Sequence, residues 1–97
     1  MDLNFKKFYF NHPLYILYSS GTTGIPKCIT HGAGNALIEH NKEFALHCNI
    51  SNSNKVFYYT TTGWMMWNWL VGGLSLGATL YLYDGSPTHP SKDTLIK

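Results

Sequence analysis

Between Leu14 and His31 the chain reads LYILYSSGTTGIPKCITH, two short runs of branched and aromatic residues around a turn that holds Gly21, Gly24 and Pro26. Tyr, Ile and Thr favour extended backbone, and glycine admits the positive φ that tight reversals use. A chain that must fold as strand, glycine-rich turn and strand leaves little room for an all-helical architecture. Leu14 to Tyr18 suits a strand buried on both faces. Pro13 disfavours helix at His12 just before it. Lys27 to His31 reads as the second strand, and Gly32 and Gly34 punctuate its end.

Downstream the period changes. From about Ala33 to Cys48, residues Ala36, Leu37, His40, Phe44 and His47 or Cys48 recur at steps of three and four, with Glu39, Lys42 and Glu43 on the polar side. That spacing predicts a helix. The cluster Asn49 to Asn54 ends it, because these side chains compete with backbone pairing. Val56 to Tyr59 reads as a strand. The run WMMWNWLVGGLSL then places Trp64, Trp67, Leu70, Val71 and Leu74 on one helical stripe, weakened by Gly72 and Gly73. Ala78 to Pro87 reads as a strand closed by a turn. Strands alternating with helices predict an α/β fold, a partial parallel sheet with right-handed crossover helices. Residues 1–13 form a lead-in and 88–97 a short tail to a single partial domain.

Charge narrows the function. Seven basic and five acidic residues leave a formal charge of +2, with no basic run to track a nucleic-acid backbone. From Val56 through Tyr83 no charged residue occurs, a longer span than the about 20 apolar residues that cross a bilayer. Thr60, Thr61, Thr62, Asn68 and the glycines argue against one continuous membrane helix, so a membrane-inserted protein is the weaker reading. Cys28 and Cys48 form no disulfide framework, and His12, His40, His47 and His89 share no metal-ligand spacing. Cys28-x-x-His31 lacks the second pair a zinc site needs, so no side-chain metal site is expected. The opening residues lack the order of a secretory signal. The sequon at Asn49 is a chance pattern on this reading, and the expected compartment is the cytoplasm. Only 12% of the residues are charged, against about 25% in ordinary soluble domains. Such a surface expects to be covered, and exposed sheet edges would invite self-association.

The loop itself carries the chemistry. A strand feeding a glycine-rich turn is where α/β proteins hold phosphates, since backbone N–H groups can converge there on an anion. Ser19, Ser20, Thr22 and Thr23 add hydroxyl donors, Gly21 and Gly24 add freedom, and Lys27 adds a charge-assisted donor. A Walker A loop is excluded: counting from Gly21, Pro26 stands at the second glycine and Cys28 at the metal-binding hydroxyl. The dinucleotide fingerprint fails because Thr23 follows Gly21 at the second position.

The run YSSGTTGIPKC resembles the phosphate loop of the AMP-forming acyl-CoA synthetases, the superfamily of luciferases and peptide-synthetase adenylation domains. Tyr18, Ser19, Ser20, Gly21, Thr22, Thr23, Gly24, Pro26 and Lys27 match its pattern, and Cys28 replaces a terminal glycine. The longer segments FNHPLYILYSSGTTGIPKCITHGAG and FYYTTTGWMMWNWLVGGLSLGATLYLYDGSP are similar to the branch that activates acetoacetate. The resemblance implies that a small acid reacts with ATP, carried with Mg2+, to an acyl-adenylate that coenzyme A then captures. It implies that the loop residues from Ser19 to Lys27 hold the ATP phosphates. Thr62, Gly63 and Trp64 become candidate walls of the nucleotide or acyl pocket, and His31 a candidate neighbour of the nucleotide. The family's acidic Mg-ATP motif, ribose-binding aspartate and C-terminal domain with its catalytic lysine have no counterpart here. A slice of the N-terminal domain, inactive alone, is expected, with a non-catalytic nucleotide-binding or interaction fragment as the alternative.

Overall fold

A computed structural model of the chain describes residues 2–20 and 24–96. Strand β1 (Pro13–Ser19) and strand β2 (Lys27–Gly32) form an antiparallel hairpin. Helix α1 (Ala33–Asn41) follows and continues through a π-helical stretch, Lys42–His47. Strand β3 (Lys55–Phe57), helix α2 (Met65–Gly72), a 3-10 turn (Gly73–Leu76) and strand β4 (Thr79–Tyr81) complete the order.

The α/β class holds, and β3 and β4 pair in parallel across the α2 crossover as expected. The hairpin differs: β1 and β2 run antiparallel, because the loop 20–26 between them is far shorter than the dozen or more residues a parallel crossover needs. The strand expected to be buried on both faces is instead open, with Leu14 53%, Ile16 56% and Tyr18 73% exposed. Among the described residues no layer buries these three side chains.

The core lies elsewhere. Phe44 and Leu70 are fully enclosed with Val56 and Ala78, and Ile50, Trp69, Leu76 and Leu80 pack around them. The α1 periodicity therefore points Phe44 correctly inward. The α2 stripe is shifted: Leu70 is buried, but Trp64, Val71 and Leu74 are exposed, and Trp69 stacks on Phe44 at 4.3 Å. The lead-in is tied down by its backbone, since the N–H groups of Ala33 and Gly34 donate to the carbonyls of His12 and Phe10, both at 2.8 Å. Two otherwise open donors at the start of α1 are thereby satisfied.

Helices α1 and α2 approach closely where His40 meets Gly72, and a Cβ at Gly72 would overlap the imidazole ring. Gly72→Ala gains about 1 kcal/mol of helix propensity but overpacks this contact at a cost of about 1–3 kcal/mol. The expected net is a loss near 1 kcal/mol, a fall of about 4–8 °C in the melting midpoint of the chain by circular dichroism. An unchanged or raised midpoint would show that the helices can part freely here.

Candidate functional site

The hairpin fixes the ends of the glycine-rich loop. Ser19, the last residue of β1, stands in register with Lys27, the first of β2, so the two arms close the loop's mouth. Ser19 is half-buried, while Ser20, Gly24 and Lys27 are exposed. Gly24 has φ +81°, a left-handed conformation that side-chain-bearing residues rarely adopt, with open space around it. The loop's need for glycine there is conformational and does not come from crowding. Gly21, Thr22 and Thr23 lie outside the described residues. What is placed is Ser19 and Lys27 opposite each other at the base of the loop, a hydroxyl-bearing and an ammonium-bearing residue of the types that suit a polyanion.

The second candidate segment leads into α2. The N–H of Trp64 donates to the Thr61 carbonyl and that of Trp67 to the Trp64 carbonyl, each at 3.1 Å, turning extended chain into helix. Thr62 borders a cavity of about 420 Å³ with Phe57, Leu70 and Tyr81. Trp64 borders another of about 360 Å³ with Tyr58 and Met65. Gly63 stands in open space. Thr62 and Trp64 thus face different cavities.

His31 lies on a third cavity, about 860 Å³, together with Tyr18, Ile29, His40, Met66 and Trp69. Its ring lies tilted beside Tyr15 with centroids 5.2 Å apart. Met65 reaches this cavity as well. The residue before the loop and the residue after Trp64 therefore share one concavity, which links the two sequence segments through space. Met65, Met66 and His40 were not singled out as site residues by the sequence. Their apolar or lone-histidine character is that of ordinary packing, and only the crossing of the two helices brings them here.

Electrostatics around the cavity are set by burial and one small ion network. Lys42 bridges Glu39 at 3.1 Å and Glu43 at 3.2 Å, which raises the lysine and lowers Glu43 from their ordinary ranges. Burial pushes Tyr15 up. Burial also pushes His40 down, opposed by the charge of Glu39 and aided by His31. A histidine held below its unfolded value binds fewer protons when folded, so its share of stability is present above about pH 6.5 and is lost as pH falls through the folded value. The melting midpoint is expected to be lower at pH 5.5 than at pH 7.5, and His40→Gln to flatten that interval. An equal slope in the variant would clear His40 of the effect.

Both cysteines are free and exposed. Among the described residues no cluster of three His, Cys, Asp or Glu side chains could hold a metal ion, and no helix is long and apolar enough to cross a membrane. The charge-free span from Val56 to Tyr83 is divided among β3, a loop, α2, the 3-10 turn and β4.

Comparison with known proteins bears on the family and the fold. The sequence profile of the AMP-binding enzyme family matches residues 6–97. The acetoacetyl-coenzyme A synthetase of Rhizobium meliloti is 58% identical over 93 residues, 96% of this chain and 14% of that protein. A malonamoyl-CoA synthetase of Penicillium aethiopicum is 58% identical over 78 residues, 80% of this chain and 11% of that one. The solved acetoacetyl-CoA synthetase of Streptomyces lividans superposes with a TM-score of 0.86 at 53% identity, over 92% of this chain and 14% of that one. The chain spans about a seventh of the length of these acetoacetyl-CoA synthetases. A glycine-rich hairpin loop closed by Ser19 and Lys27, with the profile match over nearly the whole chain, makes it a member of the AMP-binding enzyme family, matching a segment of the acetoacetyl-CoA synthetases.

Proposed function

We propose that this chain supplies the phosphate-holding hairpin of an AMP-forming ligase that activates a small carboxylic acid, acetoacetate above others. In that reaction a carboxylate oxygen attacks the α-phosphorus of ATP, the bond to the β-phosphate breaks, and pyrophosphate leaves. The thiol of coenzyme A then displaces AMP from the acyl carbon. The carrying observation is the loop mouth, where Lys27 and Ser19 face each other across the hairpin end. Its role is to position and neutralise the departing pyrophosphate, which asks for fixed donors and no covalent step. Ser20, Gly21, Thr22, Thr23 and Gly24 complete that cradle on this reading. Thr62, Gly63 and Trp64 wall the nucleotide or acyl side, and His31 borders it. Mg2+ would arrive with ATP, and the described residues present no side-chain cluster for it. A reaction that consumes ATP and coenzyme A fits a cytoplasmic setting.

Which acid is used is the finer part of the proposal. Relatives named for acetoacetate and for malonamate are equally identical to this chain, so identity alone does not choose between them. The test is a chimera in which these residues replace the matching segment of the Rhizobium meliloti enzyme, assayed for acid-dependent exchange of labelled pyrophosphate into ATP. Acetoacetate should support the fastest exchange. Faster exchange with malonamate would reassign the acid, and none with any acid in a folded chimera would overturn the reaction. Because the chain spans a seventh of these relatives, its behaviour alone is that of a nucleotide-binding fragment without turnover. Alone and concentrated it is also expected to self-associate through its free strand edges, visible as a concentration-dependent sedimentation coefficient.

A further inference from the structure

Both candidate segments are joined to a helix without slack. Strand β2, which Lys27 opens, ends at Gly32, and α1 begins at Ala33 with no loop between them. Thr62 and Gly63 lead to Trp64, the N-cap residue of α2. A helix is a rigid element, so the spacing of α1 and α2 sets how the arm that bears Lys27 stands to the segment that ends in Trp64.

The helices meet at their far ends. His40 is the penultimate residue of α1 and Gly72 the last of α2, and the imidazole rests where a Gly72 side chain would stand. At the rise of an α-helix this contact lies about 10 Å from the start of each. On either side of it there is space. One cavity of about 860 Å³ reaches from Tyr18 and His31 to Met65, another of about 420 Å³ lies among Leu37, Asn68 and Val71, and His40 borders both. The ring therefore stands between them as a spacer. Just beyond, the Ser75 hydroxyl lies 2.7 Å from the Gly72 carbonyl and 2.8 Å from Asn41 Oδ1, which ties the same two helix ends together. Turning the imidazole into either cavity would not make room for a larger residue at Gly72. The His40 Cβ would itself stand 3.1 Å from a Cβ there, closer than the about 3.5–4.0 Å of carbon atoms in contact.

We propose that His40 is a positioning residue, a spacer seated on Gly72 that sets the distance between the returning arm of the phosphate loop and the segment from Thr62 to Trp64. It acts through α1 and α2 and makes no contact with the reacting atoms. The role rests on the reaction proposed above, in which groups held on separate elements must be aligned. Such groups must stay within about 0.5 Å of the productive geometry, and a misplacement of about 1 Å can cost about 10²-fold in rate. A change of spacing therefore slows the chemical step, while each segment keeps its own residues and its affinity. A crowding Cβ and a missing ring should act alike.

The test is single-turnover formation of the acyl-adenylate from acetoacetate and ATP in the chimera with the Rhizobium meliloti enzyme, measured below its melting transition. The amplitude counts folded sites, and the rate constant is independent of that count. Gly72→Ala and His40→Ala are each expected to lower the rate constant about tenfold, with the half-saturating ATP and acetoacetate concentrations within about twofold of the parent. His40→Gln returns a flat polar side chain to the notch and should recover the rate constant to within about threefold of the parent. Losses confined to the amplitude would make the contact a purely structural one and overturn the role. His40→Gln as slow as His40→Ala would overturn it as well, since filling the notch would then not restore the spacing. A parent chimera that forms no acyl-adenylate would overturn the reaction and this role with it. A working parent whose rate constant survives Gly72→Ala or His40→Ala would overturn the role alone.

Discussion

Lys27→Ala is expected to lower acetoacetate-dependent pyrophosphate exchange in the chimera about 10²–10³-fold, the usual loss when one preorganised donor to a developing anion is removed. Lys27 opens β2 directly across from Ser19, so its backbone is held by the hairpin ladder while its side chain is exposed. Among the described residues it takes part in no salt bridge; the ion pairs there belong to Lys42. Truncating such a side chain changes stability by no more than about 0.5 kcal/mol, so the melting midpoint should hold while the rate collapses. Lys27→Arg separates charge from shape. It keeps the cation but replaces a compact ammonium with a planar fork, and partial recovery of exchange is the expected result. If Lys27→Ala slowed exchange less than about threefold, or lost rate only in step with lost stability, the phosphate role would fall.

The loop was legible in the sequence because its constraint is local. Gly24 takes a left-handed φ and Lys27 starts the strand that returns opposite Ser19, and a glycine followed by a short β-favouring run announces both in consecutive residues. Helix α1 was legible for a similar reason, since a period of three and four brings Ala36 and Phe44 to one side, and both are buried. The α2 stripe was misread because the helix does not continue through it. Trp64 is still extended at φ −111°, and after Gly72 the chain tightens into a 3-10 turn that carries Leu74 outward. The glycine pair that looked like weak helix is a close approach, with His40 resting where a Gly72 side chain would be. Strand β1 reads as doubly buried, yet Leu14, Ile16 and Tyr18 stand exposed while Tyr15 and Leu17 are half-buried, because a run of apolar residues does not tell which face a packing layer will reach. The concavity shared by Tyr18, His31 and Met65 was out of reach for the same kind of reason: its parts are distant in sequence and meet only through packing.

Phe44→Ala is expected to unfold the chain. Phe44 is fully enclosed, stacks on Trp69 at an interplanar angle of 27°, and sits among Val56, Leu70 and Ala78. Removing a buried phenyl ring costs about 3–5 kcal/mol in lost transfer energy and cavity formation. A chain of this length has a total stability of about 5–15 kcal/mol when it is well covered. This one leaves Ile16, Tyr18 and Ile29 largely in water and builds its core from few fully buried side chains, which places it at the low end of that range. The π-helical stretch makes the site harder to repair, because Phe44 lies inside it and its carbonyl accepts the Ile50 N–H at 2.8 Å, tying the turn after the helix to the same residue. Far-ultraviolet circular dichroism of Phe44→Ala should show no cooperative thermal transition, while Phe44→Leu, which refills most of the volume, should retain one at a lower midpoint. In the chimera the same Phe44→Ala change should be survivable, since the longer chain adds burial of its own. A Phe44→Ala chain that melts within a few degrees of the parent would mean that this cluster is not what holds β3, α2 and β4 together.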